Sequence, residues 1–131
     1  MRTPHDDLFP VLLLEPNPAS AAQLVSVLVA AGFRVHSEAT AESALQALHE
    51  TFFFALTVVA DLSDKDCLAA LAALRRRAPR SRMIVATPHC DAHACNLIHR
   101  HGGDACVALP ISAEDLISRL EAFQSRPRTS F

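Results

Sequence analysis

Five short apolar segments recur along this chain, each followed by a stretch with helical periodicity. That alternation restricts the fold more than any other feature. The first segment, Val11-Leu-Leu-Leu14, is apolar at every position. A strand of that kind is buried on both faces, as in a parallel sheet covered by helices. Phe33-Arg-Val-His-Ser37 alternates apolar and polar residues like an edge strand. Phe54–Val59, Met83–Ala86 and Ala105–Leu109 complete the set.

The intervening stretches carry helix start and stop signals. Asn17 is a good N-cap, Pro18 suits the first helical position, and Gly32 suits the stop. Leu24, Val27, Leu28 and Ala31 form the apolar stripe of this first helix. Thr40 caps a second helix with Ala44, Leu45 and Leu48 inward. Ser63 and Asp66 have capping-box-like spacing before a third, which carries Leu68, Leu71 and Leu74 and stops at Pro79. A fourth runs from Asp91 to His101 and ends at Gly102-Gly103. Ser112 caps the last, with Leu116, Ile117, Leu120 and Phe123 inward.

This (βα)5 order with short connections predicts right-handed crossovers and helices on both sheet faces. The predicted fold is α/β, a flavodoxin-like doubly wound parallel sheet of strand order 2-1-3-4-5. The domain is placed at residues 10–124. Residues 1–9 read as an N-terminal tail, and 125–131 as a C-terminal tail or the start of a linker.

The 131 residues suffice for one real core. A formal net charge of −2 gives no bulk attraction to nucleic acid or an anionic membrane. No apolar run is long enough to span a bilayer. The polar start, Met1 to Asp7, has no secretory h-region, so a cytoplasmic location is expected. Cys67, Cys90, Cys95 and Cys106 are then expected to be free thiols. Three glycines leave no room for a Gly-rich phosphate loop, and no nucleophile–base order stands out, so an independent enzyme is not expected.

Ligands of such sheets bind beyond the carboxyl ends of the strands. The residues there are Glu15, Pro16 and Asn17; Ala60 and Asp61; Thr87 and Pro88; Leu109 and Pro110. With Ala39, Ala44-Leu45, Ala86-Thr87 and Gly102-Gly103-Asp104 in the same order, the chain resembles the receiver domain of two-component response regulators over about residues 10 to 124. The resemblance implies a phosphoryl pocket containing acceptor and Mg2+-binding carboxylates, a switch hydroxyl and a lysine. Glu15 matches the first acidic position, Pro16 stands at the second, and Thr87 matches the hydroxyl. Leu109 replaces the lysine, and Cys106 sits where many members carry an aromatic switch residue. The acceptor position falls on Ala60 or on Asp61, depending on which end of the strand sets the alignment. Neighbouring strand residues face opposite ways, so the two choices differ chemically.

The pocket so assembled lacks charges that phosphoryl transfer requires. The first expectation is an atypical, degenerate receiver (a pseudo-receiver) without a cofactor. It would act by contact with a signalling kinase, an effector or a second copy, without binding nucleic acid itself. The resemblance places the contact face on the fourth helix, fifth strand and fifth helix: Asn96, His99, Arg100, Cys106, Val107, Asp115, Ser118, Arg119 and Ala122. An alternative keeps phosphoacceptance in a phosphorelay, with Asp61 as acceptor and Mg2+ as cofactor. A third possibility rests on the segment from His89 to His101, dense in imidazoles and thiols. Cys90, His93, Cys95 and His99 could serve there as a metal or thiol sensor, and such donors suit Zn2+. Arg75-Arg-Arg77 reads as dipole complementation at a helix end, and Phe52-Phe-Phe54 by default as core packing, with one exposed, sticky ring as the alternative.

Overall fold

The computed structural model describes residues 9–125, so the terminal tails lie almost wholly outside the described residues. The strands are β1 (Pro10–Leu14), β2 (Arg34–Glu38), β3 (Ala55–Val59), β4 (Arg82–Thr87) and β5 (Ala105–Ala108). The helices are α1 (Pro18–Ala30), α2 (Ala41–Glu50), α3 (Lys65–Arg77), α4 (Ala92–Arg100) and α5 (Ala113–Ser125). All strand pairs are parallel, in the order β2-β1-β3-β4-β5. Fold class and strand order are as the sequence predicts.

Strand alternation divides the core into two layers. Leu12, Leu14, Leu56, Val58, Met83 and Val85 face α2, α3 and α4, where they meet Ala44, Leu71, Leu74 and Ile98. Val11, Ala55, Ile84, Ala86 and Val107 face α1 and α5, where they meet Leu28, Leu116 and Leu120. Leu28, Leu116 and Leu120 are fully buried, each contributing about 1.5–3 kcal/mol relative to exposure.

Local details depart from the sequence reading. Phe33 precedes β2 rather than opening it; its ring is buried and stacks on Phe54 at 6.3 Å between centroids. Asp64, not Ser63, caps α3, its carboxylate accepting the Asp66 N–H at 2.8 Å. Of the three consecutive phenylalanines, Phe53 and Phe54 are core, while Phe52 is 59% exposed.

Arg75 does far more than complement a dipole. Its Nε donates to the Gly102 carbonyl at 2.8 Å, and its Nη1 donates to the carbonyls of Ala78 and Ser81 at 2.8 and 2.7 Å. Its Nη2 donates to Asp104 Oδ2 at 2.9 Å. The same carboxylate oxygen accepts the Met83 N–H at 2.8 Å. One side chain therefore ties α3, the α4–β5 turn and the start of β4 together.

Candidate functional site

The carboxyl ends of β1, β3, β4 and β5 bring the rim residues to one edge of the sheet. Val59 pairs with Ala86 and Thr87 with Ala108. Beyond β3, the Ala60 N–H donates to the Ala86 carbonyl at 2.9 Å, and the Leu109 N–H donates to the Thr87 carbonyl at 3.0 Å. The ladder thus continues one residue past each strand. The Leu109–Pro110 peptide is cis.

Ala60 is 6% exposed and packs into the layer beneath α2, α3 and α4. Asp61, the next residue, is exposed. Its Oδ1 accepts the Ser63 hydroxyl at 2.6 Å and the Ser63 N–H at 3.0 Å. These bonds, the hydroxyl first, hold the Asp61 carboxyl below its ordinary value; desolvation opposes them. Asp61 and Thr87 line a cavity of about 320 Å3 together with Pro88, His89 and His93.

Glu15 opens elsewhere. It is 8% exposed, and its Oε2 accepts the Asn17 N–H at 3.3 Å. With Leu109 and Pro110 it lines a separate cavity of about 180 Å3 between α1 and the β5–α5 connection. Leu109 is half-buried and packs against the α1/α5 layer. Pro16 is exposed and has no side-chain oxygen. Mg2+ requires a near-octahedral set of oxygens. Among Glu15, Pro16, Ala60 and Asp61 only the two carboxylates offer side-chain oxygens, and Pro16 supplies none.

On the proposed contact face, Asn96, His99, Arg100, Asp115, Ser118 and Ala122 are exposed. Arg119 is half-exposed, and its Nε donates to Asp115 at 3.2 Å across one helical turn. Val107 does not belong to this face. It is 5% exposed because alternation on β5 turns it into the α1/α5 layer. Cys106 points the opposite way, toward the layer containing Ile98.

That orientation reorganises the thiols. The sulfurs of Cys90 and Cys106 are bonded, with their Cα atoms 6.2 Å apart, so these two are not the free thiols expected from the sequence. Cys67 and Cys95 are free. The donor atoms of Cys90, Cys95 and Cys106 all lie within 4.8 Å of one another, forming the one group of three or more such donors among the described residues. The grouping proposed from sequence, Cys90 with His93, Cys95 and His99, does not form. His99 is on the exposed side of α4, and His93 lines the Asp61–Thr87 cavity. The missed member is Cys106. Its signal was strand alternation next to Val107, which sends the two residues to opposite faces.

A doubly wound five-stranded sheet with this order and helix placement is the fold of response-regulator receiver domains. It superposes on an orphan response regulator of H. pylori with a TM-score of 0.75 at 20% identity, covering 88% of this chain and 95% of that one. For the receiver domain of the TMAO respiratory system response regulator TorR, the TM-score is 0.79 at 21% identity, covering 90% and 98%. For a CheY-like receiver domain protein of Methanospirillum hungatei the values are 0.77 and 20%, covering 91% and 95%. No family model and no curated protein matches the chain. Among the described residues, no helix is long and apolar enough to cross a membrane.

Proposed function

We propose that this chain is a receiver-like signalling module that acts by protein contact, largely without aspartyl phosphorylation. One observation carries the reading. At the end of β5, where the resemblance calls for a lysine, Leu109 is packed against the α1/α5 layer. A hydrocarbon there offers no charge or donor to a transferring phosphoryl group, and losing one preorganised donor typically costs about 10²–10³ in rate. The Asp61–Ser63 bonds and the lack of a side-chain oxygen at Pro16 support the same reading.

The partner is a signalling kinase, an effector or a second copy of the chain in the cytoplasm. Asn96, His99, Arg100, Asp115 and Arg119 form the contact surface. The domain performs no catalysis of its own.

A second reading, phosphoacceptance on Asp61 with Mg2+, draws on the cavity that Asp61 shares with Thr87. Acetyl phosphate, or beryllofluoride, with Mg2+ separates the two. The contact reading calls for unchanged amide resonances at Thr87 and its neighbours, with Asp61→Ala behaving as the parent does. Stoichiometric acyl phosphate lost in Asp61→Ala would establish the second reading instead.

A further inference from the structure

Cys90 lies in the β4–α4 connection, Cys95 on α4 and Cys106 on β5. They are 5 and 11 residues apart in the chain. Alternation on β5 aims Cys106 under α4, and the turn of α4 that buries Ala94 and Ile98 holds Cys95 half-buried above it. The loop after Thr87 brings Cys90 over the same spot. All three side chains are half-buried, with donor atoms within 4.8 Å of one another.

A structural disulfide needs two cysteines. A third sulfur held within the same radius is what a cation needs, not what a covalent staple needs. Zinc–thiolate bonds of about 2.3 Å place sulfurs around one ion roughly 4 Å apart, inside the envelope seen here. Thiolates select Zn2+ and Cu+ and discriminate against Mg2+.

We propose that reduced Cys90, Cys95 and Cys106 bind one thiophilic cation, Zn2+ or Cu+, and that the Cys90–Cys106 disulfide is the metal-free alternative state of the same site. Binding releases the thiol protons. Oxidation by a low-molecular-weight disulfide such as glutathione disulfide removes two electrons from the Cys90 and Cys106 sulfurs, forms their S–S bond and yields two molecules of the small thiol. The two protons taken up by the small thiols come from the cysteine thiols in the metal-free chain, and from solvent when the cation holds both as thiolates. The cation then loses two of its three protein ligands and leaves. In either closed state the segment just beyond Thr87 is fastened to β5. Only the reduced, metal-free chain releases it.

The test uses the untagged 131-residue chain, reduced and freed of reductant under anaerobic conditions. It is titrated with Zn2+, with Cu+ and with Cd2+ as a thiolate-absorbing reporter. One ion per chain is expected, with affinity lowered at least about 10–100-fold in each of Cys90→Ser, Cys95→Ser and Cys106→Ser, and unchanged in Cys67→Ser and His99→Ala. The chain oxidised with glutathione disulfide should bind none. A reading that needs no variant is alkylation of the parent: bound Zn2+ should shield Cys90, Cys95 and Cys106 but not Cys67. Failure of the reduced parent to bind any of the three ions overturns the proposal. Binding that survives Cys106→Ser, or is lost in His93→Ala, assigns the ion to the α4 histidines and overturns it equally. None of these results depends on phosphoryl chemistry or on a protein partner.

Discussion

Arg75 and Asp104 are joined by a 2.9 Å bond between side chains that are only 13% and 10% exposed. The pair lies between α3 and the turn that leads into β5, 29 residues apart in the chain. Asp104 also accepts the Met83 N–H and lies 3.9 Å from Arg82 Nη1. Removing the guanidinium leaves that carboxylate poorly compensated and strips donors from the Gly102, Ala78 and Ser81 carbonyls. Breaking a buried pair from one side costs about 3–5 kcal/mol. Arg75→Ala should lower unfolding stability by that amount in urea titration. A loss under about 1 kcal/mol would mean the network is not structural.

Gly102 is coupled to the same arginine. Its φ is +100°, and a Cβ there would lie 2.6 Å from Arg75 Cγ and 2.7 Å from Arg75 Cβ. Gly102→Ala should cost at least about 1–2 kcal/mol from backbone strain alone. In an Arg75→Ala background the Cγ contact vanishes, while the Cβ contact and the dihedral remain. The cost of Gly102→Ala should then shrink without disappearing, which a double-mutant cycle measures directly. Strict additivity would contradict the contact.

Thr57, at the centre of β3, is fully buried, and its hydroxyl has no hydrogen-bond partner among the described residues. A buried, unsatisfied hydroxyl costs about 1–3 kcal/mol. Thr57→Val keeps the shape and removes the orphaned group, so it should raise stability by about 1 kcal/mol or more. A drop in the thermal midpoint would show that the hydroxyl is satisfied in solution.

Asp61 should titrate below 3.8, its ordinary value, because of Ser63. A carboxyl lowered in the folded state contributes stability that is present above its unfolded value. That contribution is lost as pH falls through the folded one. Ser63→Ala removes the larger of the two bonds and should shift the Asp61 carboxyl upward in a carbon-13 NMR titration. An unshifted titration would mean that the hydroxyl does not hold Asp61.

Much of this fold is written in local pattern. The unbroken apolar run of β1 specifies a strand buried on both sides, and its pairing with Val35 on one side and Ala55 on the other realises that. Asn17, Thr40 and Ser112 cap the helices they precede. The α3 start departs from the Ser63 cap expected from spacing, because the loop geometry gives Ser63 to Asp61 and leaves the cap to Asp64. The rim residues fall at the strand ends as their order implies. What local pattern could not supply was direction in space. Nothing near Arg75 in sequence announces Gly102 or Asp104. Nothing in the segment from His89 to His101 announces a sulfur arriving from β5. Those contacts depend on how α3, α4 and β5 stack.

The helix caps have a consequence for the electrostatics of the sheet's carboxyl edge. All five helices begin there, and a bare N-terminus would present amide hydrogens and a partial positive charge. Each first turn is instead engaged by its own chain: Asn17, Thr40 and Ser112 by neutral oxygens, Asp64 and Asp91 by full carboxylates. An arriving anion at α3 or α4 would first have to displace a negative charge already in residence. The dipoles are therefore screened from within: at every helix start an oxygen of the chain itself already occupies the place a visiting acceptor would take.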